Sequence, residues 1–196
     1  MLTKFKEKIQ QTLSTQARWL HTLGLKPNHI TLLGIIFATV SSASYASTQN
    51  NKLFLLIAII FLLFSGFCDA IDGVLARLYG QTTQLGGFLD SLLDRYADIL
   101  IFGGIMLGNL CNLFWGLAAL SGSLLVSYSR ARAEAAGVKM ESVGFMERAE
   151  RLLLLTIASL IALFWLDAIN WAMILLAFLT NLTVIQRIIY FYKKTM

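Results

Sequence analysis

Six stretches of this chain are apolar for 18 residues or more: approximately Ile30–Ser47, Leu53–Leu78, Gly86–Leu110, Leu113–Ala135, Ala149–Leu166 and Trp171–Tyr192. Runs of this length limit the fold more than any other feature. About 20 helical residues cross a hydrocarbon core of about 30 Å, and a helix satisfies its own backbone polar groups without water. The breaks between the runs are short, among them "TQNNK", "YGQTTQLG", "NLCN" and "DAIN", with a longer "AGVKMESVGFMER" after the fourth. No soluble domain, low-complexity tract or convincing repeat intervenes. With 57% hydrophobic residues and a single proline, the expectation is all-α. It is an integral membrane bundle of six transmembrane helices over residues 27–196, preceded by a juxtamembrane segment over residues 1–26.

That first segment has neither the apolar core nor the small-residue cleavage site of a signal peptide. Leu2, Phe5, Ile9, Leu13, Ala17 and Leu20 recur at helical spacing, with Lys4, Lys6, Lys8 and Arg18 between them. This reads as an amphipathic interfacial helix that lies in the headgroup layer, or else as a short helix capping the bundle. Positive charge sets the orientation. With six spans, 15 of the 16 Lys and Arg residues fall on one side, Lys52 being the exception. Both termini are therefore expected on the cytoplasmic face of the cell membrane. The net charge of +5 is a topology and anionic-lipid signal, and no soluble basic face is left for nucleic acid. Cys68 and Cys111 sit in apolar runs and read as small buried hydrophobes; His21 and His29 are isolated and read as structural or interfacial.

Against this background, residues 66–100 hold Asp69, Asp72, Asp90, Asp94 and Asp98, five of the chain's 11 acidic residues. Asp69 and Asp72 are three apart, and Asp90 and Asp94 four apart, so each pair shares a helix face. A short turn joins the second and third spans, so both pairs meet near one end of an antiparallel helix pair. A charged side chain inside the bilayer costs at least about 2.5–3.5 kcal/mol, and clustered like charges repel. Divalent cations offset both costs, and hard carboxylate oxygens suit Mg²⁺, Mn²⁺ or Ca²⁺. Four carboxylates around two metals is an arrangement for displacement at phosphorus. Gly73 and Gly86 would let a bulky ligand approach the backbone. The alternative is a polar core in which Arg77 and Arg95 pair with the carboxylates, but two cations cannot readily neutralise five anions.

The full pattern, D-x2-D-G-x2-A-R-x8-G-x3-D-x3-D from Asp69 to Asp94, resembles the signature of the CDP-alcohol phosphotransferase family. The resemblance extends over essentially the whole chain, and "PNHITLLG", Pro27 to Gly34, is similar to the family's pre-membrane segment. From the residues alone, that segment is a helix entry with Asn28 as a plausible cap. The resemblance implies an enzyme that moves a phosphatidyl-type group from a CDP-linked lipid to a small alcohol and releases CMP. It implies two metal ions, Mg²⁺ with Mn²⁺ as the alternative, on Asp69, Asp72 and Asp90, with Asp94 completing the site and acting as general base. Asn28, Thr31, Asp69, Gly73, Ala76, Arg77 and Gly86 would hold the CDP-lipid. The resemblance also implies a homodimer, and the glycines of "FGGIMLG" would permit close helix contact. Asp98 lies beyond the motif and is left as a second carboxylate layer or a packing residue.

A second polar cluster, "SYSRARAEAAGVKMESVGFMERAERL" from Ser127 to Leu152, brings Arg130, Arg132, Arg148 and Arg151 to the ends of the fourth and fifth spans. Arg187 enters from the sixth. Several guanidiniums around one pocket suit an anionic acceptor through bidentate bonds to phosphate; the plainer reading is headgroup anchoring, which fits Lys193 and Lys194. The cluster resembles the family branch of phosphatidylinositol phosphate and archaetidylinositol phosphate synthases. That implies an inositol phosphate pocket on Arg130, Arg151 and Arg187, supported by Ser127, Arg132 and Arg148. Arg130 stands where bacterial members commonly have Lys, which favours CDP-archaeol over CDP-diacylglycerol as donor. Two other readings compete: glycerol 3-phosphate as acceptor, or a divalent-cation transporter or channel, which would spread its carboxylates through the membrane depth.

Overall fold

The computed structural model describes residues 13–140 and 143–196, and these form seven helices with no strand among them. Helix α1 covers residues 13–22. It is followed by α2 (Pro27–Ala46), α3 (Leu53–Leu78), α4 (Gln84–Leu107), α5 (Leu113–Ala135), α6 (Arg148–Ala162) and α7 (Ala168–Thr195). Local chemistry explains the boundaries. Pro27 opens α2, where its missing N–H costs nothing. Thr83 caps α4 by accepting from the Gly86 N–H at 2.9 Å, and Asn112 caps α5 by accepting from the Phe114 N–H at 2.9 Å. Asn28 is therefore not a cap; it lies inside the first turn of α2.

By length and composition, α2, α3 and α7 can each cross a membrane. Helices α4 and α5 have 24 and 23 residues, but they carry the carboxylates and arginines of the two polar clusters. The fifth expected span is shorter than its hydropathy suggests. Helix α6 ends at Ala162 after 15 residues, about 22 Å of helix, because the apolar residues 163–166 turn back towards α7. Hydropathy alone cannot distinguish apolar turn residues from a last helical turn.

The bundle is apolar outside and partly polar within. Leu107, Phe164 and Phe178 are 77%, 93% and 61% exposed, whereas Ser41, Ser123, Ser159, Thr180 and Thr183 are fully buried. Such an outer surface suits lipid contact. Buried hydroxyls tie the helices together: Ser41 donates to the Ala58 carbonyl at 2.8 Å, Ser42 to Leu100 at 2.6 Å, and Tyr45 pairs with Ser159 at 2.7 Å. The described part of the amphipathic segment packs Leu13, Ala17 and Leu20 onto Ile30, Cys68, Ile71 and Leu75. His21 stacks on Tyr79 at 3.6 Å, and His29 accepts from the Lys26 N–H at 3.5 Å. Leu2, Lys4, Phe5, Lys6, Lys8 and Ile9 lie outside the described residues.

Two glycines of "FGGIMLG" are used within the chain. Gly104 and Gly108 face the backbone of Ser42 and Tyr45, which lets α4 lie directly against α2, whereas Gly103 faces open space. Gly104→Ala should cost about 1–3 kcal/mol through overpacking. This would be read as a lower melting temperature in detergent, with Gly103→Ala melting like the parent.

Candidate active site

The ends of six helices converge at one end of the bundle, where the five carboxylates meet Arg130, Arg148, Arg151 and Arg187. Helix α3 supplies Asp69 and Asp72, and α4 supplies Asp90, Asp94 and Asp98 at four-residue intervals, one per turn. Carboxylate oxygens of Asp69, Asp72 and Asp90 lie within 4.8 Å of one another. Thr31 of α2 donates to Asp72 at 2.7 Å. Oδ1 of Asp90 is buried and has no hydrogen-bond partner. A close set of hard anionic oxygens, one of them orphaned, fits a divalent cation.

Asp94 stands beside this trio and has a different partner. Arg148 of α6 brings Nη1 within 2.5 Å of Asp69 and 2.7 Å of Asp94. One guanidinium nitrogen thus stands between the two carboxylates and pairs with both. Arg95 lies 3.8 Å from Asp94 and donates to the Ser91 carbonyl. Arg77 forms no ion pair among the described residues and lies over Gly73, its Nη1 3.4 Å from where a Cβ would stand. The alternative of a core neutralised by Arg77 and Arg95 therefore does not describe this site.

Three adjoining spaces surround these groups. A groove of about 180 Å³ is lined by Asn28, Thr31, Asp72, Gly73, Ala76, Arg77, Gly86 and Asp90. Apart from Asp69, every residue expected to hold the CDP-lipid is there. A Cβ on Gly86 would come within 2.9 Å of Thr83 Oγ1 and 3.2 Å of Asn28 Oδ1, so this glycine keeps the groove wall thin. A narrow cleft beside the groove contains Asp69, Asp72, Asp94 and Arg148. Beyond it, a cavity of about 240 Å³ is lined by Asp94, Ser127, Arg130, Arg148, Arg151 and Arg187, together with Asp98 and Glu147.

The arginines are held in different ways. Arg151, 2% exposed, donates to Asp98 at 2.7 Å and to the Met146 carbonyl at 3.4 Å. Arg187, equally buried, donates to the carbonyls of Val143 (2.8 Å) and Val126 and lies 3.3 Å from Glu147. It thus fastens the segment before α6 to α5 and α7. Arg130 pairs with Glu134 at 2.9 Å near the surface. Arg132 does not line that cavity; it lies in an apolar groove between α5 and α7 that Arg187 also borders. From Arg130, two residues along a helix is a rotation of about 200°, so the two side chains cannot share a face. Sequence reading missed Thr83 and Glu147. The capping position before Gly86 could have revealed Thr83, but no local pattern links Glu147 to Arg187.

Comparison with known proteins adds a family. The sequence profile described as CDP-alcohol phosphatidyltransferase matches residues 25–185. The archaetidylinositol phosphate synthase of Pyrococcus horikoshii is 39% identical over 188 residues, covering 96% of this chain and 95% of that protein. The enzyme of the same name from Methanothermobacter thermautotrophicus is 40% identical over 198 residues, covering 99% and 95%. Among solved structures, the phosphatidylinositol phosphate synthase of Mycobacterium tuberculosis with CDP-DAG bound superimposes with a TM-score of 0.80. It has 28% identity and coverage of 93% of this chain and 94% of that one. The same enzyme has also been solved in complex with manganese and citrate.

A cation that binds the folded carboxylate trio stabilises it by mass action. Mg²⁺ or Mn²⁺ should raise the melting temperature of the detergent-solubilised protein, and chelation should reverse the shift. Asp90→Asn should abolish the metal-dependent shift while melting no lower than the parent without metal.

Proposed function

The chain belongs to the CDP-alcohol phosphatidyltransferase family; from that premise we propose that it transfers the phosphatidyl- or archaetidyl-type group of CDP-diacylglycerol or CDP-archaeol to inositol phosphate, releasing CMP. One observation carries the reading: Asp94 and Arg148 line both the carboxylate cleft and the arginine cavity. A donor diphosphate in the groove and an acceptor phosphate among the arginines would then meet at Asp94.

Each residue has a task in this scheme. Asn28, Thr31, Gly73, Ala76, Arg77 and Gly86 form the donor groove. Arg77, with no carboxylate partner, is free to meet the diphosphate. Asp69, Asp72 and Asp90 are the ligands for two divalent ions, and Asp94 completes the set. When bound, Mg²⁺ or Mn²⁺ neutralises charge on the diphosphate and on departing CMP. Arg130, Arg148, Arg151 and Arg187, with Ser127, orient the acceptor phosphate. Asp94 takes the proton from the acceptor hydroxyl as its oxygen bonds to the lipid-bearing phosphorus and the anhydride bond to CMP breaks. Arg148, 2.7 Å from Asp94, holds that carboxylate at the border of the acceptor cavity.

The membrane arrangement belongs to the same proposal. Helices α2–α7 form the six-span domain, the short α6 being completed by the turn that follows it. Helix α1 lies along the headgroup layer, and the one-sided distribution of Lys and Arg favours the cytoplasmic face for both termini and the site. The enzyme acts as a homodimer. The high identity to archaeal relatives makes CDP-archaeol the first donor to test. Glycerol 3-phosphate carries the same phosphate and is the nearest competing acceptor. A cation pathway is disfavoured because the carboxylates gather at one end of the bundle.

Purified protein given CDP-lipid and metal should release CMP with inositol phosphate and hardly at all with glycerol 3-phosphate or serine, the product being identified by mass spectrometry. A preference for glycerol 3-phosphate would overturn the acceptor assignment. Asp94→Asn should reduce CMP release by about 10²–10⁴-fold while leaving CDP-lipid binding close to that of the parent. Turnover at the parent rate would remove Asp94 from the role of base.

A further inference from the structure

Asp98 is the fifth carboxylate of the series and takes no part in the metal trio. It is 4% exposed, on α4 one turn beyond Asp94, and its Oδ2 receives Nη2 of Arg151 at 2.7 Å. Its Oδ1 lies 3.9 Å from Nε of Arg148. We propose that Asp98 is the positioning residue of the acceptor site: it fixes the plane of the Arg151 guanidinium and so determines which acceptor poses the cavity accepts. This rests on the reading that the arginine cavity holds the acceptor phosphate.

Three observations support the assignment. The first concerns donor geometry. A guanidinium has five N–H donors in one rigid plane. Asp98 takes a donor on Nη2, and the Met146 carbonyl takes one on Nη1 at 3.4 Å. These two anchors fix the plane and leave Nε buried without a partner. With Nε bound to no protein group, the Asp98 and Met146 anchors alone set the orientation of that plane. The second concerns how the helices meet. Helix α6 packs most closely on α7 and α3, and ion pairs span the gap between α4 and α6. Asp94 and Asp98 on α4, four residues apart, face Arg148 and Arg151 on α6, three apart. The register of the two ladders sets where both guanidiniums stand relative to Asp94.

The third concerns charge. The cavity lining includes Arg95, Arg130, Arg148, Arg151 and Arg187 against Asp94, Asp98, Glu147 and Glu150. If an anionic acceptor needed only positive potential, Asp98 would work against binding. Its presence against Arg151, one of the two most buried arginines, makes sense when geometry is what matters. Removing its charge should therefore leave the cavity a better site for anions in general and a poorer one for the productive acceptor. A carboxylate that merely neutralised a buried arginine would show no such opposition.

The experiment uses full-length protein in detergent or vesicles with CDP-lipid and metal. Asp98→Asn should lower kcat/KM for inositol phosphate about tenfold or more and leave KM for CDP-lipid within about twofold. Inorganic phosphate should inhibit the variant at least as well as the parent. Asp98→Glu should recover part of the loss, and Asp98→Asn combined with Arg151→Lys should be no worse than the poorer single variant. An acceptor kcat/KM within about twofold of the parent, or losses that simply add with those of Arg151→Lys, would overturn the proposal. So would a parallel loss of CDP-lipid binding in both Asp98 variants, since the pair would then be holding the fold. If the parent prefers glycerol 3-phosphate, the acceptor reading fails. The same variants assayed with that acceptor would still decide the role of Asp98, because the phosphate is common to both.

Discussion

Five carboxylates at one end of an apolar bundle repel one another, and low polarity makes the repulsion worse; the rest of the site is arranged around that cost. Two kinds of countercharge share the work. The trio of Asp69, Asp72 and Asp90 forms a nest of hard oxygens for divalent cations. Asp94 and Asp98 are matched by Arg148 and Arg151 from a helix distant in sequence. Both partners of such a pair depend on it, because removing one leaves the other buried and uncompensated, at about 3–5 kcal/mol. The arginines proposed to hold the acceptor are thus also structural partners of the carboxylates.

This sharing connects the two halves of the reaction. Arg148 reaches Asp69, a metal-type ligand, and Asp94, the proposed base, through a single nitrogen. Its partners are all side-chain carboxylates, Asp98 being the third at 3.9 Å. Arg187 is the opposite case. It is fixed by two backbone carbonyls and Glu147, so it gives the cavity a fixed wall. One guanidinium is thus tied to the acidic cluster and the other to the backbone that walls the cavity.

Much of this was legible in the sequence, for identifiable reasons. The helical spacing of Asp69, Asp72, Asp90 and Asp94 along two helices joined by a short turn was enough to bring them together. That Asn28, Thr31, Gly73, Ala76, Arg77 and Gly86 surround one groove was implied by the family resemblance and not by spacing, which on its own made Asn28 a helix cap. What failed to show in the sequence were contacts between distant segments. That Arg148 would lie between two carboxylates, and that Arg187 would be taken up by the Val126 and Val143 carbonyls, depends on how α6 and α7 approach α4 and α5. Arg132 was grouped with Arg130 because they are near neighbours in the chain, although helical rotation separates them. Composition also concealed the short α6, since its apolar run continues into a turn.

The glycines of α4 show how far the membrane setting reaches into the site. Hydrophobic burial does little to hold helices together in lipid, so close approach and hydrogen bonds between helices carry much of the association. Gly104 and Gly108 bring α4 against the α2 backbone, and Ser42 adds a hydrogen bond to Leu100 within the same contact. That contact holds α4 and α2 in register, and at the other end of the same pair Asn28 of α2 faces Gly86, while Thr31 of α2 meets Asp72 of α3. The position of the donor groove is therefore set by packing two or more turns away from it. A substitution at the glycine contact would disturb the carboxylates without touching any of them.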